Sequence, residues 1–160
     1  MIVDGKEIKI ADVMRPPQLI QETQTLKDAL TFMIENKCNS LTVVDDAGVY
    51  AGRVSAVDII KEVLPDYMED DMVAARFANL DLLKQDAARA KDKLIKDFMM
   101  TDIPAIDVDD SLVEAAVLAA KQGFGRITVV DADKKPVGFL TRTEIKRVIG
   151  HFLDIPSALT

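Results

Sequence analysis

The chain has 160 residues, 49% of them hydrophobic, and a formal net charge of −7. That length can bury a real core, as one compact unit or two small lobes. The acidic balance excludes a nucleic-acid partner, whose phosphates demand a basic surface, and argues equally against an anionic membrane face.

A single cysteine, Cys38, excludes an internal disulfide and fits a reducing compartment. The one histidine, His151, without a Cys/His cluster, excludes a zinc site. There is neither a basic segment leading into an apolar run nor an apolar stretch of roughly 18 residues, so the expectation is a soluble, cytoplasmic protein.

Along the chain, ADVM (11–14) is followed by a short apolar stretch, Leu19-Ile20, predicted as a strand. A helix follows, with Leu26, Ala29, Leu30, Met33 and Ile34 on one core-facing stripe. LTVVD (41–45) is β-branched and almost continuously apolar, as a strand covered on both faces should be. The turn DDAG leads to a second strand, Gly52-Arg53-Val54, which runs straight into a helix opened by SAVD (55–58). Residues 66–98 have no Gly or Pro, are rich in Ala, Leu, Lys and Asp, and predict a mostly helical insertion, with a new cap expected near Asn79-Leu80-Asp81. Its stripe of Val73, Phe77, Leu80 and Leu83 or Lys84 either packs on the domain's side or meets a partner or a second subunit.

The same order then recurs. KDFM (96–99) matches ADVM, the stretch Ala105-Ile106 matches Leu19-Ile20, and SLVEA (111–115) matches TLKDA (25–29). ITVVDADKKPVGFLTRTEIKR (127–147) superposes on LTVVDDAGVYAGRVSAVDIIK (41–61) without a gap. The chain is therefore two copies of β-α-β-β-α, an α+β protein with α/β-type packing. The copies span 8–64 and 94–152, with a long helical insertion at 65–93. Four Ser/Thr-x-x-acid stretches, TLKD, SAVD, SLVE and TRTE, each predict a helix start in which a hydroxyl and a carboxylate satisfy free backbone N–H groups.

The doubled DVM/DFM, TLKDA/SLVEA, TVVD/TVVD and Gly-to-acid segments resemble a tandem pair of cystathionine-β-synthase (CBS) domains, a Bateman module. That resemblance implies two lobes related by a pseudo-twofold, with clefts that bind adenosine compounds: AMP, ADP, ATP or S-adenosylmethionine. It implies a regulatory, non-catalytic sensor that needs no cofactor and no metal, and that commonly forms a disc-shaped homodimer. In the family the carboxylate of Ser/Thr-x-x-Asp takes the ribose hydroxyls and the hydroxyl lies near the phosphates. Carried over, this nominates Ser55 and Asp58 in the first copy, and Thr141 and Glu144 in the second. Glu144 departs from the usual aspartate by a methylene.

Arg126, just before the second central strand, and Arg142, inside TRTE, are the nominated phosphate cations; the first copy has Ser40 where the second has Arg126. Arg53 and Lys146 are weaker candidates. The adenine positions are Pro17, Gln18 and Leu19 in the first copy, and Ile103, Pro104 and Ala105 in the second. A competing reading is a structural or partner-binding adaptor with vestigial clefts, working through the dimer face and the helical insertion. No nucleophile–base pair, P-loop or GxGxxG stretch points to an enzyme.

Overall fold

The computed structural model describes residues 2–3, 6–65, 71–121 and 125–159. A short antiparallel pair, β1 (Ile2–Val3) and β2 (Lys6–Glu7), precedes α1 (Ile10–Val13). The first copy then builds β3 (Leu19–Gln21), α2 (Leu26–Asn36), β4 (Ser40–Val44), β5 (Tyr50–Ser55) and α3 (Ala56–Val63). The second builds β6 (Ile106–Asp107), α6 (Leu112–Ala120), β7 (Arg126–Val130), β8 (Pro136–Thr141) and α7 (Arg142–Phe152), after α4 (Met72–Phe77) and α5 (Leu80–Ala90). The β-α-β-β-α order is present twice, as the repeat requires.

In each copy the central strand lies between a parallel and an antiparallel neighbour, in the orders β3-β4-β5 and β6-β7-β8. A parallel step needs a crossover, which α2 and α6 supply. The central strands are buried from their second residue onward, which is why TVVD reads as an unbroken apolar run. Both ladders slip at the same place, between Val43 and Val44 and between Val129 and Val130. The hairpin turns also match. Asp45 Oδ1 accepts from the N–H groups of Ala47 and Val49, and Asp131 Oδ1 from those of Asp133 and Lys135.

The chain divides into two compact units, Leu19–Ile103 and the pair of segments Met1–Gln18 and Pro104–Thr160. The leading segment of each repeat thus packs on the other copy. Ile10 is fully buried with Ile127, Val129 and Leu140, and its counterpart Ile95 is fully buried with Leu41, Val43 and Val54. Two backbone bridges tie these segments down. Arg15 exchanges hydrogen bonds with Phe139, at 2.9 and 3.0 Å, and Met100 with Arg53, both at 2.9 Å. Their carbonyls come so close to the last strand that the residue before each partner admits no side chain. A Cβ on Gly52 would lie 2.2 Å from Met100 O, and one on Gly138 2.7 Å from Arg15 O.

Among the described residues the insertion is helical in two pieces that meet at the cap expected near Asn79-Leu80-Asp81; the expectation for 66–98 is corrected only at its end, beyond Ala90. Residues 66–70 lie outside the described residues. Beyond them α4 stops at the extended Ala78, and Asn79 starts α5 by accepting from Leu82 N–H. The expected cap is where the break falls. Regular helix does not continue to Phe98, because the chain turns after Ala90, Leu94 is extended and bridges Thr25, and Ile95–Asp97 form a single 3-10 turn: Leu26 N–H donates to Lys93 O, and Ile95 N–H to Gln24 O. Packing of Ala90 in the core holds the end of α5, whereas Phe77 and Leu80 are 85% and 82% exposed. The predicted stripe does not pack on the side of the domain.

Candidate functional site

All four Ser/Thr-x-x-acid stretches form reciprocal capping boxes, at Thr25/Asp28, Ser55/Asp58, Ser111/Glu114 and Thr141/Glu144. Two of them, Ser55/Asp58 and Thr141/Glu144, stand at the end of a strand that passes into the helix without a loop. The free N–H groups of α3 and α7 are therefore presented directly at the sheet's edge, beside a hydroxyl and a carboxylate. Such a terminus suits an anionic group.

The two boxes share a design and differ in what remains free. Ser55 donates to Asp58 Oδ2 through its backbone N–H at 2.7 Å and through Oγ at 2.8 Å. Asp58 is half-buried, and no bond reaches its Oδ1 among the described residues. In the second copy Thr141 donates to Glu144 Oε2 through its N–H at 2.7 Å and through Oγ1 at 2.6 Å. Glu144 Oε1 is paired with Arg15 Nε at 3.0 Å. At 3% exposure this carboxylate is nearly buried, and a buried carboxylate requires such partners.

Around Glu144 the exchanged leading segment assembles further groups. Arg126 donates to Gln18 Oε1 at 2.8 Å and stacks on Phe139, its guanidinium carbon 3.8 Å from the ring centroid. Arg15 lies 6.0 Å from the same centroid on its own guanidinium carbon. The arrangement brings Gln18, Arg126, Thr141 and Glu144 into one unit. Gln18 precedes the first copy in sequence, so the adenine and phosphate candidates come together across the repeats rather than copy by copy. Sequence reasoning also missed Arg15 and Phe139. The only signal for either was the position of Arg15 immediately after ADVM.

The unit formed by Leu19–Ile103 carries the counterpart positions. Ser40 pairs with Ser55 across β4 and β5, and Arg53 stands where the second copy has Phe139. Ile103 is buried and its carbonyl accepts from Tyr50 Oη at 2.9 Å. Pro17, Leu19 and Pro104 are exposed and Ala105 is half-buried. Arg142 is placed elsewhere: its guanidinium donates to Ala119 O and Lys121 O, closing the C-terminal end of α6. Lys146 is exposed on α7 beside it.

Two copies of a capped strand-to-helix corner, each packed with the other's leading segment, define a tandem small-domain module with one polar, capped helix terminus of this kind per unit. The chain belongs to the CBS domain family, whose model matches residues 10–65 and 95–151. It is 29% identical to the chloroplastic CBS domain-containing protein CBSX2 of Arabidopsis thaliana over 86% of this chain and 62% of that protein. The crystal structure of CBSX2 superposes with a TM-score of 0.72, covering 93% of this chain and 99% of that one at 25% identity. A structure of CBSX2 in complex with AMP gives a TM-score of 0.67 at 26% identity, covering 92% and 99%. A homoserine O-acetyltransferase of Methanocorpusculum labreanum is 31% identical over 78% of this chain but only 20% of that protein.

Among the described residues no helix is long and apolar enough to cross a membrane.

Proposed function

We propose that this chain is a regulatory module that senses an adenosine nucleotide or adenosyl compound and relays its occupancy through a conformational change. The observation that carries this reading is Asp58. Its carboxylate stands at a helix N-terminus with one oxygen engaged in the cap and the other without a partner among the described residues. A ribose cis-diol offers two donors to such a group, and the α3 N–H groups suit a phosphate. The complex of CBSX2 with AMP supports the same ligand class. Ser55, Asp58, Arg53 and Ile103 would hold ligand in one unit; Thr141, Glu144, Arg126, Gln18 and Pro17 would do so in the other. Arg142 belongs to the α6 cap in the free protein.

No chemical step is assigned to the chain. The match to the homoserine O-acetyltransferase covers too little of that protein for its named activity to come across. Signalling then requires a ligand that binds one conformation better than another, in whatever larger assembly the module serves.

Thermal melting with AMP, ADP, ATP and S-adenosylmethionine tests the proposal. A ligand at about a hundredfold above its dissociation constant stabilises by roughly 2.7 kcal/mol, which for this size is a rise of roughly 5–10 °C. No response to any of the four would reject the sensor and favour the adaptor reading, for which the exposed Phe77 and Leu80 would be the contact.

The module is further proposed to pair with a second copy through its helices. The α2/α3 face exposes Ile34, Val57 and Ile60, and the α6/α7 face exposes Val113, Val117 and Ile149. Each face holds a shallow groove of about 330 Å3. Isolated apolar side chains on a surface are ordinary, but contiguous ones mark interfaces. Light scattering on the wild type should give the mass of two chains, and Ile60→Glu with Ile149→Glu that of one. A wild-type mass of one chain rules the pairing out.

A further inference from the structure

The two capping boxes are built alike, yet one carboxylate is open and the other is held. We propose that Arg15 is a latch on Glu144, so that the two units fill unequally, the Asp58 end first and the Glu144 end only after Arg15 has been displaced. This rests on the sensor reading and adds a rule of occupancy to it.

Glu144 has no oxygen to spare. Oε2 accepts from both Thr141 donors, and Oε1 is ion-paired with Arg15 Nε at 3.0 Å. The carboxylate is 3% exposed whereas the Arg15 side chain is 56% exposed, so the arginine closes the acid from the solvent side. The pair is buried on the Glu144 side and open to solvent on the Arg15 side, so it counts for more than one between two exposed groups and can still be exchanged. Arg15 is also positioned independently of Glu144, because its N–H and carbonyl are both bonded to Phe139. A cis-diol approaching Glu144 must break this pair before it can be accepted.

The first repeat lacks the latch. The residue that occupies the position of Arg15, bonded through its backbone to Arg53 as Arg15 is to Phe139, is Met100. Methionine has no donor to offer Asp58, whose Oδ1 has no partner among the described residues. The shorter acid contributes as well: Asp58 and Ser55 reproduce the cap of Glu144 and Thr141, but with less reach toward the leading segment.

When the binding-competent form is a fraction of the population, apparent affinity falls by that fraction. A latch closed about 99% of the time separates the two events by roughly 100-fold. Titration calorimetry with AMP on the full chain tests the proposal. The wild type is expected to bind one AMP per chain at submillimolar concentration. Asp58→Ala should remove that event, and Glu144→Ala should leave it within about threefold.

The decisive variants copy the first repeat into the second. Arg15→Met, and Arg15→Met combined with Glu144→Asp, should raise the stoichiometry from one to two, with melting and circular dichroism checking that each is folded. Glu144→Asp alone, which keeps an exposed arginine but shortens its partner, provides a second test if Arg15→Met does not fold. Two equal events in the wild type would overturn the latch and leave the sensor standing. A single event lost in Glu144→Ala, or a folded double variant that still binds one AMP, would also overturn it. No AMP binding in any form would reject the sensor reading and the latch together.

Discussion

Gly52→Ala is expected to lower stability by about 4 kcal/mol, combining steric overlap with a backbone angle that alanine avoids. The added Cβ would stand 2.2 Å from Met100 O and 3.2 Å from its carbonyl carbon. Neither atom can retreat cheaply, because that carbonyl accepts from Arg53 N–H and the neighbouring N–H donates back, both at 2.9 Å. Gly52 also has a φ of +155°, a conformation that residues with a Cβ rarely adopt. Gly138 occupies the same position in the second repeat. There the new atom would meet Arg15 O and Met14 Sδ, each at 2.7 Å, with no positive φ to add. The methionine end can move, so Gly138→Ala should cost about 2 kcal/mol. Gly125→Ala, with open space around it, should change stability by less than about 0.5 kcal/mol. Urea midpoints at unchanged slope measure all three. A Gly52 variant as stable as the Gly125 variant would mean that the leading segment does not bear on the last strand as described.

The doubled order of elements was legible because it rests on local patterns: apolar stripes, β-branched runs, Asp-rich turns and hydroxyl–acid starts. Asn79 shows the limit of such reading in its favourable form. Its capping chemistry was visible, and it won against the surrounding helix formers to split the insertion. The residues beyond Ala90 show the opposite case. Lys91 to Phe98 carry no Gly or Pro, yet the α-helix ends at Ala90: the chain turns, Leu94 bridges Thr25, and only a 3-10 turn at Ile95–Asp97 follows, held by the hydrogen bonds from Leu26 and to Gln24. That pairing partner is remote in sequence, and no window of residues contains it.

The same exchange of leading segments hid the composition of the candidate site. Gln18 and Arg126 are 108 positions apart and meet at 2.8 Å. Arg15 could not be assigned from its neighbours MRPP, because nothing near it in the chain marks the distant Glu144 as its partner. Phe139 reads as an apolar strand residue until the two arginines are seen against its ring.

Asp58→Asn is expected to weaken AMP binding by about 100-fold while leaving the melting temperature of the free protein within roughly 1 °C. The amide has one acceptor oxygen where the carboxylate has two. Ser55 N–H and Oγ both donate to Oδ2, and among the described residues no bond reaches Oδ1. In the asparagine variant the single oxygen can serve the cap or the diol, not both. Keeping it on Ser55 N–H preserves the start of α3 and turns an NH2 group toward the ribose, so two charge-assisted bonds are lost. Turning it toward the ribose instead sets NH2 against the Ser55 N–H and opens the cap.

Asp58→Ala removes both functions. It should therefore lose binding at least as fully and also destabilise the free protein by about 1 kcal/mol, the worth of a helix cap. The contrast separates the two roles in a single titration series. If asparagine binds AMP as the wild type does, Asp58 is a helix cap alone. If asparagine and alanine lose stability equally, the cap depends on the charge and not on the acceptor. Loss of affinity in the asparagine variant at unchanged stability is the result expected of a carboxylate that holds the helix with one oxygen and the ligand with the other.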